Sequence, residues 1–240
     1  METKTDQNVQ QFYARVAGLS YVIFTIAGFI NSFLLNGKLS KVEALGVTGI
    51  FENEMHFRLG ILAETTMFLG VVMASVSFYV VFKSVNKQLA QTALCLRLVE
   101  IIIGGTAVVI GIAMLALSSK TFLLDAYTLE ELRTLVAIAA SFRVPAYEYS
   151  WVFMGFAGVI TFYLFYKTQY IPRGWSIWGM ITYSSLIVYP VAKWLVPDLP
   201  RETMFVLFPG ALFELTVGIW LLSKGINVSP VKTETTSQAN

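Results

Sequence analysis

The chain has 240 residues, 56% of them hydrophobic and 13% charged, with a mean hydropathy of +0.66 and a formal charge of +2. Soluble chains carry about 25% charged residues, and 17 bases with 15 acids cannot cover the surface of a soluble domain this long. The composition excludes a soluble enzyme, a disordered chain and a nucleic-acid binder, and it predicts an all-α, multi-pass membrane protein.

A spanning helix needs about 20 mostly apolar residues at 1.5 Å rise each. Six runs meet this: residues 14–35, 57–82, 88–117, 147–166, 175–196 and 203–223. In lipid every backbone polar group must bond within its own segment, so each run reads as a helix. Residues 1–13 form an N-terminal tail, and the first run is too long for a signal peptide. Between spans 1 and 2, residues 40–43 begin a weak helical segment. The loop after span 2 holds Lys83 and Lys87 without an acid. Between spans 3 and 4, Thr128-Leu-Glu-Glu131 has the form of a capping box. Leu129, Leu132, Leu135, Val136 and Ala139 then recur at helical spacing. This predicts a short amphipathic helix on the outer leaflet, ending near Pro145, either a cap over the bundle mouth or a gating lid.

The linker between spans 4 and 5 holds Lys167 and Arg173 without an acid, with Tyr166, Tyr170, Trp175 and Trp178 as an aromatic belt. Pro190 and Pro209 fall inside the fifth and sixth runs and predict kinks. Residues 226–240 read as a polar, disordered tail following a membrane domain of residues 14–225. The opposite loops dilute their bases with Glu43, Glu52, Glu54, Asp125, Glu130, Glu131, Asp198 and Glu202. The positive-inside rule then puts both termini in the cytoplasm. Spans 4 to 6 do not repeat spans 1 to 3, which gives no support to an inverted-repeat transporter.

An ionisable residue at membrane depth is costly unless paired or hydrated, so it is a functional candidate. Arg97 lies ten residues past Lys87 and Glu214 ten before Lys224, each at a depth of roughly 15 Å, with Glu100 at roughly 20 Å. Arg97 and Glu100 share a face by their i, i+3 spacing. Gly210, Glu214 and Gly218 share a face of span 6, and Gly104 and Gly111 continue the Arg97 face, as close helix packing requires. A second layer near the outer mouth, roughly 28 Å from the inner edge, holds Glu64, Glu148 and Lys193, with Arg58, Arg143 and His56 at or beyond it.

Three readings of this constellation stand open. It can pin helix register as a buried Arg–carboxylate network. It can line a cavity that binds a small amphiphile, lipid headgroup, ion or proton. It can also perform catalysis, with Glu214 or Glu100 as general acid. One Arg97 cannot neutralise both Glu100 and Glu214, so either one carboxylate carries a proton or a further cation occupies the site. The single cysteine, Cys95, and single histidine, His56, exclude a disulfide framework, a zinc ribbon and a His-cluster metal site, so no metal or cofactor is expected. HExxH, GxSxG, GxGxxG and P-loop patterns are absent.

Ala14-Arg-Val-Ala-Gly-Leu19, Phe57-Arg-Leu-Gly-Ile61, Arg97-Leu-Val-Glu100, Ile171-Pro-Arg173, and Glu214 followed by Trp220-Leu-Leu-Ser-Lys-Gly225 carry a family likeness. In their order and spacing they resemble an uncharacterised bacterial family of six-helix integral membrane proteins, domain of unknown function 4386. The resemblance implies an inner-membrane location. Its pattern has an acid at Glu64 and carries Arg58, Arg97, Glu100 and Glu214. Where the family often has a histidine near the start of span 4, this chain has Tyr147 and Glu148.

The sequence thus predicts a six-helix bundle that binds a small amphiphile, ion or proton through Arg97, Glu100 and Glu214, with Glu64, Arg58, Glu148 and Lys193 as further candidates. Its partners are the bilayer and a small-molecule or lipid ligand, and its glycine faces would allow an oligomer. One alternative is an integral-membrane enzyme acting on a lipid or isoprenoid. The other is a structural, immunity or scaffold protein.

Overall fold

The computed structural model describes residues 4–32, 50, 53–119, 126–196 and 198–228. These contain six long α-helices and no strand: α1 (Lys4–Phe29), α2 (Glu54–Phe82), α3 (Lys87–Ser119), α4 (Leu129–Thr168), α5 (Arg173–Leu195) and α6 (Phe208–Lys224). Five stretches, Lys4–Ser32, Glu54–Phe82, Lys87–Ser118, Leu129–Thr168 and Glu202–Lys224, are long and apolar enough to cross a membrane. The remaining helix, α5, is 23 residues long but mixes Ser176, Thr182, Ser184 and Ser185 with its apolar residues. The chain is a multi-pass helical membrane protein. Residues such as Leu69, Ile102, Val109 and Ile181 present apolar side chains outward, as a lipid-facing surface does.

Each helix packs on its neighbours in sequence, and α1 also packs on α6, so the six form a ring in which α5 and α6 touch most sparsely. The first turns of α1 and the last of α6 meet at one end of it. There the Gln10 amide donates to Ser84 Oγ, and the Gln11 amide donates to the Lys224 carbonyl. Beyond α6 the packed chain continues past the expected boundary at residue 225. Ile226 is buried, its N–H donating to Gln11 Oε1, and the Asn227 N–H donates to the Tyr170 carbonyl.

The larger core lies around Tyr21, Phe78, Phe82, Phe162, Phe165, Tyr183 and Phe213. Several of its rings meet edge-on, as Phe82 and Phe165 do with centroids 4.7 Å apart at 81°, an arrangement favoured by ring quadrupoles. Small residues set the closest crossing. A Cβ on Gly18 of α1 would lie 2.7 Å from the Gly218 carbonyl of α6, so the two backbones meet only because neither residue has a side chain.

Other features also differ from the sequence expectation. From Lys4 onward the expected N-terminal tail is the start of α1. The amphipathic helix between spans 3 and 4 is not separate: it is the start of α4, a continuous 40-residue helix with Pro145 inside it. The capping box is present, with Thr128 Oγ1 accepting from the Glu131 N–H and Glu131 Oε2 accepting from the Thr128 N–H. Leu132 and Val136 are buried against Phe57, Met114 and Leu115 in a second apolar cluster. That burial holds the segment on the bundle rather than flat on a leaflet. Pro145 costs one helical hydrogen bond but does not end a helix packed on both sides.

Pro209 likewise does not kink the interior of a helix. Residues 201–207 form a 3-10 segment, Arg201–Leu207, and Pro209 sits in the first turn of α6. At that position the missing proline N–H has no helical partner to lose. Pro190 does lie inside α5, which continues through it. The expected segment at residues 40–43 and the tail from residue 229 lie outside the described residues.

Candidate functional site

The deep charges gather in the ring through tyrosines. Arg97 and Glu100, one turn apart on α3, are 7% and 4% exposed, with Arg97 Nη1 donating to Glu100 Oε2 at 2.9 Å and Oε1 at 3.2 Å. Glu214 on α6 is not in direct contact with this pair. Its Oε1 accepts from the Tyr183 hydroxyl at 2.8 Å, which in turn shares a hydrogen bond of 2.9 Å with the Tyr21 hydroxyl. The Arg97 guanidinium sits 5.3 Å from the centre of the Tyr183 ring, within cation–π range. Tyr183 therefore joins the base to the second acid. Its place is fixed by stacking on Phe162 at 5.5 Å and 18°, and a Cβ on Gly158 would run into the Tyr183 ring.

The shallower layer separates into three pairs. Glu64 Oε1 accepts from Arg143 Nη2 at 2.6 Å and from Asn31 Nδ2 at 3.1 Å, joining α2, α4 and the π-helical turn at residues 30–32 that ends α1. Arg143 Nε also donates to the Ala107 carbonyl of α3. A Cβ at Gly111 would lie 3.3 Å from Arg143 Nε, so this glycine leaves room for the guanidinium. Lys193 and Glu148 pair at 2.5 Å between α5 and α4. Arg58 pairs with Glu54 one turn away on the exposed surface of α2, and His56 is exposed nearby.

A cavity of about 540 Å³ occupies the centre of the ring. All six helices line it, through Phe24, Met67, Glu100, Met154, Thr182 and Glu214 among others, and the 3-10 segment lines its far end through Met204 and Phe205. The walls are mostly apolar, with a few hydroxyls at Thr25, Ser150, Thr182 and Ser185. Thr25 is 6% exposed, and its hydroxyl makes no hydrogen bond. Of the charged candidates only Glu100 and Glu214 reach the cavity; Arg97, Arg143, Glu64, Glu148, Lys193 and Arg58 do not line it. Among the described residues, no three His, Cys, Asp or Glu side chains are grouped to hold a metal ion.

Tyr21 and Tyr183 were not legible as site residues. Their one signal is position: tyrosine in membrane helices favours the interfaces, and these two are mid-helix and fully buried.

The family described as Domain of unknown function (DUF4386) matches residues 16–225, and the chain belongs to it. No curated protein and no solved structure matches the chain.

Proposed function

We propose that this DUF4386 protein binds an amphiphile, its apolar part in the central cavity and its polar head at Glu100 and Glu214. The supporting observation is the cavity itself: about 540 Å³, apolar along most of its wall and acidic at one place. Ligand sites are typically concave, mostly apolar clefts of about 300–1,000 Å³ with a few convergent polar groups. A bacterial inner-membrane location is what the family resemblance implies, and the reading that both termini are cytoplasmic rests on the acid-free loops at Lys83–Lys87 and Lys167–Arg173.

Filling the cavity tests the proposal. Ala211 lines it, and Ala211→Phe is expected to abolish the amphiphile that the wild-type protein retains through purification in nanodiscs, read by native mass spectrometry. Equal retention by the two proteins would contradict binding at this place.

A second reading, an integral-membrane enzyme acting on a lipid or isoprenoid, draws on the accessibility of Glu214 to the cavity and its hydrogen bond from Tyr183. Lipid profiles of cells with and without the protein separate the two: an altered species favours chemistry and an unchanged profile favours binding.

A further inference from the structure

Among the described residues, the charges that face the cavity are all of one sign: two carboxylates line it and no base does. Arg97 is held by Glu100 and lies over the Tyr183 ring. It opens instead into a separate small crevice with Ser75, Phe78 and Thr161. Glu100 is thus neutralised from its own helix, whereas Glu214 forms no ion pair among the described residues and receives one hydrogen bond, from Tyr183. A carboxylate inside an apolar bundle needs a proton or a counter-charge. No second base among the described residues pairs with Glu214, and that residue lines the cavity.

We infer that the cavity's occupant carries an ammonium group on a single alkyl chain, with the ammonium at the Glu100 and Glu214 end. The inference rests on the amphiphile reading above and deepens it by fixing the head-group chemistry. An anionic head would bring a third negative charge into a low-dielectric site. A neutral hydroxyl can donate a hydrogen bond but leaves the charge imbalance in place. An ammonium does both jobs, donating to a carboxylate and cancelling its charge, and charge-assisted bonds of this kind are about twice as strong as neutral ones. Apolar and aromatic neighbours such as Phe24, Phe68, Trp151 and Phe208 then surround the chain and the carbons next to the nitrogen.

A head-group series at constant chain length tests this. Dodecylamine, dodecanol and dodecanoate are titrated into the wild-type protein in phosphatidylcholine nanodiscs, and the concentration giving half of the maximal rise in melting temperature is read for each. Dodecylamine is expected to act at about one tenth of the concentration of dodecanol, with dodecanoate weakest. In Glu214→Gln the advantage of the amine over the alcohol is expected to shrink to within about twofold, while dodecanol is unchanged. The wild-type series stands without the variant, should that variant fail to fold.

Equal action of amine and alcohol, both lost in Ala211→Phe, would overturn the ammonium and leave the amphiphile reading intact. Tightest binding of dodecanoate would do the same. Absence of any response to all three would overturn both. A lysophosphatidylethanolamine of the same chain length identifies the source of the ammonium. Action equal to dodecylamine assigns it to a membrane lipid, and action at tenfold higher concentration assigns it to a free amine.

Discussion

Arg143→Met removes the base from the most deeply shared ion pair outside the central cluster. The Arg143 and Glu64 side chains are 14% and 5% exposed and 2.6 Å apart, and Glu64 Oε2 has no other partner. After the substitution Glu64 keeps only the Asn31 amide, and the Ala107 carbonyl loses the Arg143 Nε donor. Removing one partner from a buried pair costs about 3–5 kcal/mol. At about 2–4 °C per kcal/mol for a chain of this size, the melting temperature falls by about 6–20 °C, measured by tryptophan fluorescence in one detergent. The added change Glu64→Gln takes away the stranded charge and recovers more than half of the loss. Arg58→Met is the control: its pair with Glu54 is exposed, at 51% and 34%, and its loss costs about 1 kcal/mol or less. An Arg143→Met protein that melts within about 2 °C of wild type, or a double variant no better than the single, would show that this pair does not hold α2 to α4.

Three other perturbations separate the parts of the account. Tyr183→Phe keeps the ring on Phe162 and under Arg97 but strips Glu214 and Tyr21 of their shared partner; a loss of about 1–3 kcal/mol is expected, and an unchanged melting temperature would remove Tyr183 as the link. Gly218→Leu forces α6 off α1, where a Cβ would already stand 2.8 Å from Tyr21 Cβ, whereas Gly105→Leu meets open space. The first is expected to lower stability by at least about 1–3 kcal/mol and the second to leave it unchanged, and equal melting of the two would contradict the close crossing. Thr128→Ala deletes the cap of α4, with about 0.5–2 kcal/mol expected; the loss is read as faster amide exchange over the first turns, and unchanged exchange would show that packing of Leu132 alone holds the segment.

The spans were legible because bilayer thickness imposes length and hydropathy together, and residues 57–82 and 88–117 sit within α2 and α3. A fixed rise per residue also converts sequence distance into relative height. Arg97 and Glu214 count to one level and Glu100 to one turn beyond; Tyr183 touches Arg97 and Glu214, and Glu100 pairs with Arg97. What rise cannot give is azimuth. Glu64, Glu148 and Lys193 count to one height, yet Glu64 turns toward Arg143 and Asn31 while Glu148 turns toward Lys193. Arg58 counts to that level and points to the surface. Local signals failed where tertiary contacts outweighed them. Pro145 reads as a helix end, but the burial of Leu132 and Val136 keeps one helix running through it. Pro209 reads as a kink because hydropathy does not register the 3-10 segment before it.

The proposed amphiphile site, with acid at its polar end, is tested most directly by an electron cryo-microscopy structure of the protein extracted from native membranes into nanodiscs. The account predicts elongated non-protein density along the cavity between α1, α4 and α6, one end in contact with the Glu214 carboxylate. A cavity closed by its own side chains, or density that touches neither Glu214 nor Glu100, would contradict it.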